Sequence, residues 1–312
     1  MDAGDDIDRF LQNIRKNRGR RDRLENTPNI IGGASAEKAW NGIKQRLKKI
    51  SSTSQDNNGG AEEISPLRSK FVIDNDFYDF DKDRVEASFK ENEVWAAYGG
   101  IDGKPRLYAL VHSVVSQEPF NLCISWLDIT KDEEPATMNW VDSGFSKTSG
   151  RFSIGERINT TALKLFSHRL KCTKDAEGFI HIYPTKGDVW ALYTNWSPSW
   201  GDEDDWDDEE DRNEYDIVEV VEDFDRELGV MVLPLVKVPG FISVFRRDSD
   251  QLAFSVKEML KFSHQVVYHR LTGQEGENVP EDCLELDPAA LPPELWGDLS
   301  EDELLTEDEM SE

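Results

Sequence analysis

The chain has 312 residues, 38% hydrophobic and 32% charged, and its 63 Asp and Glu against 36 Lys and Arg give a formal net charge of −27. No apolar run approaches the roughly 18 residues of a membrane-spanning helix, and the start MDAGDDIDRF lacks the basic and apolar parts of a signal peptide. Three scattered cysteines, Cys123, Cys172 and Cys283, make neither a CxxC pair nor a disulfide framework, which points to a reducing compartment, cytosol or nucleus.

The length suggests about two domains, and the modest share of core formers leaves part of the chain unpacked. Charge is unevenly spread. Residues 1–70 hold 14 Lys and Arg against 10 Asp and Glu, a surplus of +4, so residues 71–312 carry −31. A body this acidic repels phosphate backbones and attracts basic partners, which argues against direct nucleic-acid binding by the body.

The first 50 residues read as a basic helical arm. Ile7, Phe10, Leu11 and Ile14 recur at helical spacing behind Asp5 or Asp6 as a cap, and Trp40, Ile43, Leu47 and Ile50 do so behind Ser35. Between them Arg15, Lys16, Arg18, Arg20 and Arg21 suit nuclear import or phosphate contact, or simply a solvated helix face. Residues 51–70, with SSTSQDNNGGAEEIS, read as a flexible linker.

From about residue 71 the period changes to two. EVWAAY, RLYALVHSVVS, FNLCISWLDI, VWALY, YDIVEVVEDF, GVMVLPLVKV and FISVFRR are rich in β-branched and aromatic residues and bounded by Gly, Pro or Asp. The spacing leaves no room for crossover helices, so antiparallel sheet is expected. The blocks also repeat in order. Val94-Trp95-Ala96-Ala97-Tyr98 returns as Val189-Trp190-Ala191-Leu192-Tyr193, Phe152-Ser153-Ile154 as Phe254-Ser255-Val256, and Phe166-Ser167-His168 as Phe262-Ser263-His264. RLYALVHSVV aligns with EYDIVEVVED between them. Several blocks in one order mark a duplication.

The expected fold is therefore mainly β with short helices: two tandem, similar small β-barrel-like units behind a helical arm. The repeats take residues 71–175 and 176–275, each with about five strands and then a short helix or turn ending in Phe-Ser-His. The second contains an acidic insert, residues 197–214, and residues 276–312 form a C-terminal segment and acidic tail.

The blocks DFYDFDKDR, VWAAY, PRLYALV, GDVWALYTNW, YDIVEVVEDF, PLVKVPGFISVF, KFSHQVVYHRLTG and ELDPAALP together resemble a plant domain of unknown function found C-terminal to the J-domain of DnaJ-type proteins. The resemblance covers roughly residues 71–292. It implies a chaperone-associated setting but transfers no catalytic residue. A J-domain acts through His-Pro-Asp, and none of the five histidines of this sequence precedes a proline.

Tyr98, Tyr193 and Trp196 are candidates for a cage that takes a methylated cation by cation–π attraction, with core packing as the alternative. Trp95 and Trp190 read as core. His168 and His264, each after a serine, read as structural, because catalytic partners meet in space rather than in sequence. No zinc spacing, phosphate loop or GxSxG is present, so no metal, cofactor or enzymatic activity is expected. The insert is the most individual feature. Asp202, Glu203, Asp204, Asp205, Asp207, Asp208, Glu209 and Glu210 surround Trp206, which suits a dock for a basic, histone-like or chromatin-associated protein, or a solubilising loop. The expectation is a nuclear, non-enzymatic interaction module. A J-domain-less chaperone adaptor is the alternative, and a hydrolase with an unfamiliar site the lesser one.

Overall fold

The computed structural model describes residues 77–99, 103–130, 133–194, 196–197, 214–276 and 279–292. The arm, the linker, residues 198–213 of the insert and the tail from 293 onward lie outside the described residues. So do Arg15, Lys16, Arg18, Arg20, Arg21, Trp206 and the eight acidic candidates of the insert.

The first half folds as seven strands: β1 (Val94–Gly99), β2 (Lys104–Gln117), β3 (Phe120–Ile129), β4 (Gly150–Thr160), β5 (Phe166–Leu170), β6 (Thr173–Lys174) and β7 (Ile180–Ile182). They hydrogen-bond in the order β5-β1-β2-β3-β4-β7-β6. The second half supplies β8 (Val189–Tyr193), β9 (Tyr215–Asp225), β10 (Gly229–Lys237), β11 (Val244–Arg247), β12 (Leu252–Phe254), β13 (Phe262–Val266), β14 (Tyr268–Arg270) and β15 (Leu284–Leu286). Their order is β13-β8-β9-β10-β11-β15-β14, with β12 laid on β10. Counted from its own first strand and with β12 set aside, the second sheet repeats the order of the first. A 3-10 turn, Leu163–Leu165 or Val256–Lys261, leads directly into each Phe-Ser-His strand.

Both sheets are antiparallel and curled into half-barrels. In the first, Val94, Ala96, Tyr108, Leu110, Phe152, Leu170, Ile180 and Ile182 share one core, although β5 and β7 stand near opposite edges. Only a sheet bent on itself brings them together. The second concave core holds the matching Val189, Ala191, Tyr193 and Ile217 with Leu284 and Leu286 of β15. On the convex sides Trp95 stacks on Phe89 at 4.1 Å, and Trp190 packs on Phe262. Both indoles are buried. Buried on both faces, β8 reads as continuous apolar sequence rather than as alternation. At Gly229, with φ +88°, a Cβ would lie 2.0 Å from the Phe254 carbonyl oxygen, so only glycine lets β12 close on β10.

Three details differ from the sequence reading. Each half has seven or eight strands rather than about five, because β6, β7, β14 and β15 span only two or three residues each, too few for a periodic signal. The sheets also run past residues 175 and 275, since β7 belongs to the first and β15 to the second. Finally, Trp95 faces Ala109 and Trp190 faces Val218, so Arg106 corresponds to Tyr215 rather than Glu214. The middle of each strand is apolar at consecutive positions, which leaves a one-residue slip invisible to pattern.

The halves interlock. α1 (Pro135–Asp142) follows β3 of the first half, yet its Trp140 and Val141 lie in the concave core of the second. Trp140 stacks on Phe145 at 4.0 Å and meets the Tyr193 ring edge-on at 5.6 Å.

Candidate functional site

The acidic insert joins β8 and β9, two neighbouring strands of the second half-barrel. β8 and β9 pair from Val189 with Glu219 to Tyr193 with Tyr215, and the Thr194 amide adds a bond to the Glu214 carbonyl at 3.2 Å. Tyr193 and Tyr215 thus stand opposite each other at the foot of the loop, with ring centroids 5.5 Å apart. Cross-strand aromatic pairs of this kind hold a stem in register. Trp196 packs half-buried against the same cluster, and its Nε1–H is buried without a partner.

The structure places the aromatic candidates in two settings, and in each an arginine of the chain itself faces the tyrosine. The Arg106 guanidinium lies 5.8 Å from the ring centroids of both Tyr193 and Tyr215. It donates to the Tyr215 hydroxyl at 2.6 Å and twice to Ser263 Oγ, at 3.0 and 2.9 Å. Tyr193 itself is only 3% exposed. Tyr98, at the equivalent place in the first half, lies 5.7 Å from the Arg84 guanidinium, and burial pushes its phenol pKa well up. Trp95 packs instead with Phe89 and Phe166, so Trp95 and Tyr98 do not share a cage. What would be an aromatic seat for an outside cation already receives an internal one.

The two Ser-His pairs belong to this seam between the halves. Ser167 Oγ lies 2.9 Å from His168 Nδ1, and Ser263 Oγ 3.0 Å from His264 Nδ1. The opposite ring nitrogens meet carbonyl oxygens, of Gln265 at 3.1 Å and of Ala290 at 2.8 Å. Those acceptors require Nε2–H, so Nδ1 accepts from serine. Burial drives the His168 pKa down to about 4, only partly opposed by the Gln265 bond. Ser263, fully buried and receiving Arg106 while donating to His264, has no lone pair aimed at a substrate.

Further ties close the seam. Arg84 pairs with the buried Asp287 and donates to the Ser167 carbonyl at 3.1 Å. Burial pushes the Asp287 carboxyl up, against the pull of Arg84. Lys104 Nζ reaches the Leu291 carbonyl at 2.6 Å, and Thr148 donates to the Phe262 carbonyl. Arg84, Arg106, Trp140 and Asp287 were not singled out from sequence. The one available hint was the pair Lys104 and Arg106, charges at the head of a strand that is apolar from Leu107 to Val111. Among the described residues no group of three or more His, Cys, Asp or Glu is placed to hold a metal ion, and no helix is long and apolar enough to cross a membrane.

A family model described as a domain of unknown function, DUF3444, matches residues 68–275. No curated protein and no solved structure matches the chain.

Proposed function

We propose, from the premise that this chain belongs to the family of the domain of unknown function DUF3444, that it is a non-enzymatic protein-interaction module whose partner is a basic, chromatin-associated protein in the nucleus. The observation that carries the reading is the mounting of the acidic loop. Ten Asp and Glu against one Arg in residues 201–214 are offered between two core strands, on a stem clamped by Tyr193 and Tyr215. Such a stem fixes where the chain leaves and rejoins the sheet on either side of these residues. The carboxylates supply attraction and on-rate toward a cationic segment, and Trp206 an apolar or cation–π contact.

Deleting residues 201–211 tests this. Loop-closure entropy varies slowly with length, so the melting temperature should barely move. Affinity for a lysine- and arginine-rich histone-tail peptide, read by fluorescence anisotropy, should fall. The lost component should be the one that weakens with salt, since surface charges act over about 8 Å at physiological ionic strength. Trp206→Ala alone should cost about 0.5–2 kcal/mol and leave the salt dependence in place. Equal binding by intact and deleted proteins at low salt defeats the proposal. Capture of an Hsp70-type protein instead of a basic one in a pulldown favours the chaperone-adaptor reading.

A further inference from the structure

The two arginines that face equivalent tyrosines at the seam are held in different ways. Arg106 belongs to β2, where the next residue, Leu107, pairs with Ala97 of β1. It cannot leave without opening the sheet. Arg84 comes from a strap, residues 77–88, that precedes β1. The strap is exposed or half-buried throughout, and Phe89 is the first buried residue after it. Its backbone bonds close on itself: the Lys82 amide donates to the Asp79 carbonyl, Arg84 to Asp81 and Ser88 to Val85. Its ties to the body run through the Phe77 amide on Glu285, the Phe77 and Tyr78 rings on Phe241 and His269, and the Arg84 guanidinium. A segment with so little buried side chain opens at a lower free-energy cost than the core does.

The seat that Arg84 fills is made by the body. Its floor is Asp287, whose side chain is 1% exposed: Oδ1 accepts the Ala289 amide at 3.0 Å, and Oδ2 takes the guanidinium. The Ser167 carbonyl on β5 accepts Arg84 Nε–H at 3.1 Å, and the Tyr98 ring on β1 lies 5.7 Å from the guanidinium carbon. A carboxylate, a carbonyl and an aromatic face around one flat cation suit a guanidinium. An ammonium is a point charge and lacks the fork. Lifting the strap takes away Arg84 together with Asp81, its own i−3 partner, and leaves Asp287 buried without a cation. A buried carboxylate in that state is strongly unfavourable, so the vacated seat calls for a replacement. A second arginine would restore the same contacts.

We infer that the seat formed by Asp287, Ser167 and Tyr98 is a binding site for an arginine side chain of the basic partner, and that Arg84 is its internal stand-in, displaced when that partner docks. The inference rests on the basic-partner reading above, but the seat uses no residue of the acidic insert.

The test empties the seat. Arg84→Ala should lower the melting temperature of the full chain, and N-acetyl-arginine amide should restore it saturably. N-acetyl-lysine amide at matched ionic strength should not, and the wild type, its seat filled, should respond to neither. The histone-tail peptide should bind Arg84→Ala about tenfold more tightly than wild type, because the seat need no longer be vacated first. Replacing the arginines of the peptide by lysine should abolish that gain, which loss of a purely structural ion pair would not produce. Adding Asp287→Asn should remove both the rescue and the gain. If Arg84→Ala does not fold even with the arginine amide, Arg84→Lys, which keeps a charge but loses the fork, carries the same two measurements. Deleting residues 201–211 should leave the rescue intact, so failure of the seat and failure of the basic-partner reading are told apart. Absence of rescue, equal rescue by the lysine amide, or wild-type peptide affinity in the folded variant overturns the inference.

Discussion

Trp140→Ala removes an indole that belongs by sequence to the first half and by packing to the second. The side chain is 2% exposed, stacked on Phe145 and edge-on to Tyr193, and its Nε1–H donates to the Ser146 carbonyl at 3.2 Å. A buried indole removes about 200 Å² from water, or about 5 kcal/mol at 25 cal/mol per Å². Denatured chains already hide part of that area, so about 3–5 kcal/mol is expected, in line with other large-to-small core changes. In a body of this size each kcal/mol moves Tm by about 2–4 °C, which predicts a fall of roughly 6–20 °C. Circular dichroism should show one transition displaced as a whole, because the indole ties a segment of the first half into the core of the second. Trp140→Phe, which keeps the stack but loses the hydrogen bond, should fall in between. A shift within error for Trp140→Ala, or a transition that splits with only one part moved, would refute the interlocked packing.

Two other outcomes follow from the charges. His168 is held neutral in the fold with a pKa near 4, whereas an unfolded histidine titrates near 6.5. Its contribution is therefore complete above about pH 6.5 and lost as pH falls toward 4, at most about 3 kcal/mol. His168→Gln should flatten that part of the stability–pH curve in urea melts, and an unchanged slope would contradict it. Replacing Arg15, Lys16, Arg18, Arg20 and Arg21 by Ala should reduce nuclear accumulation of a fluorescent fusion, whereas an unaltered distribution would leave them a solvated face.

The strands with strong alternation or dense β-branched runs were legible before any coordinates, as was the duplication that carries V-W-A-x-Y and Phe-Ser-His to equivalent places. The seam was not. Arg84 meets Asp287, and Arg106 meets Ser263, across sequence separations of 203 and 157 residues, and nothing local marks either arginine as internal. Trp140 escaped because an eight-residue helix has little periodicity to read.

The first and last parts of the body also touch. The Phe77 amide donates to Glu285 at 2.9 Å, Tyr78 stacks on His269 at 4.3 Å, and Arg84 grips Asp287. In topological terms the chain is a ring with a single nick. A nascent polypeptide cannot close that ring until residues 284–291 have followed both half-barrels out of the ribosome. A circular permutant, with a short peptide joining the present ends and new ones opened within residues 201–211, would keep every tie of the seam. It would move the nick to the acidic loop, so that β9, not the segment at Phe77, is the first part of the ring to emerge.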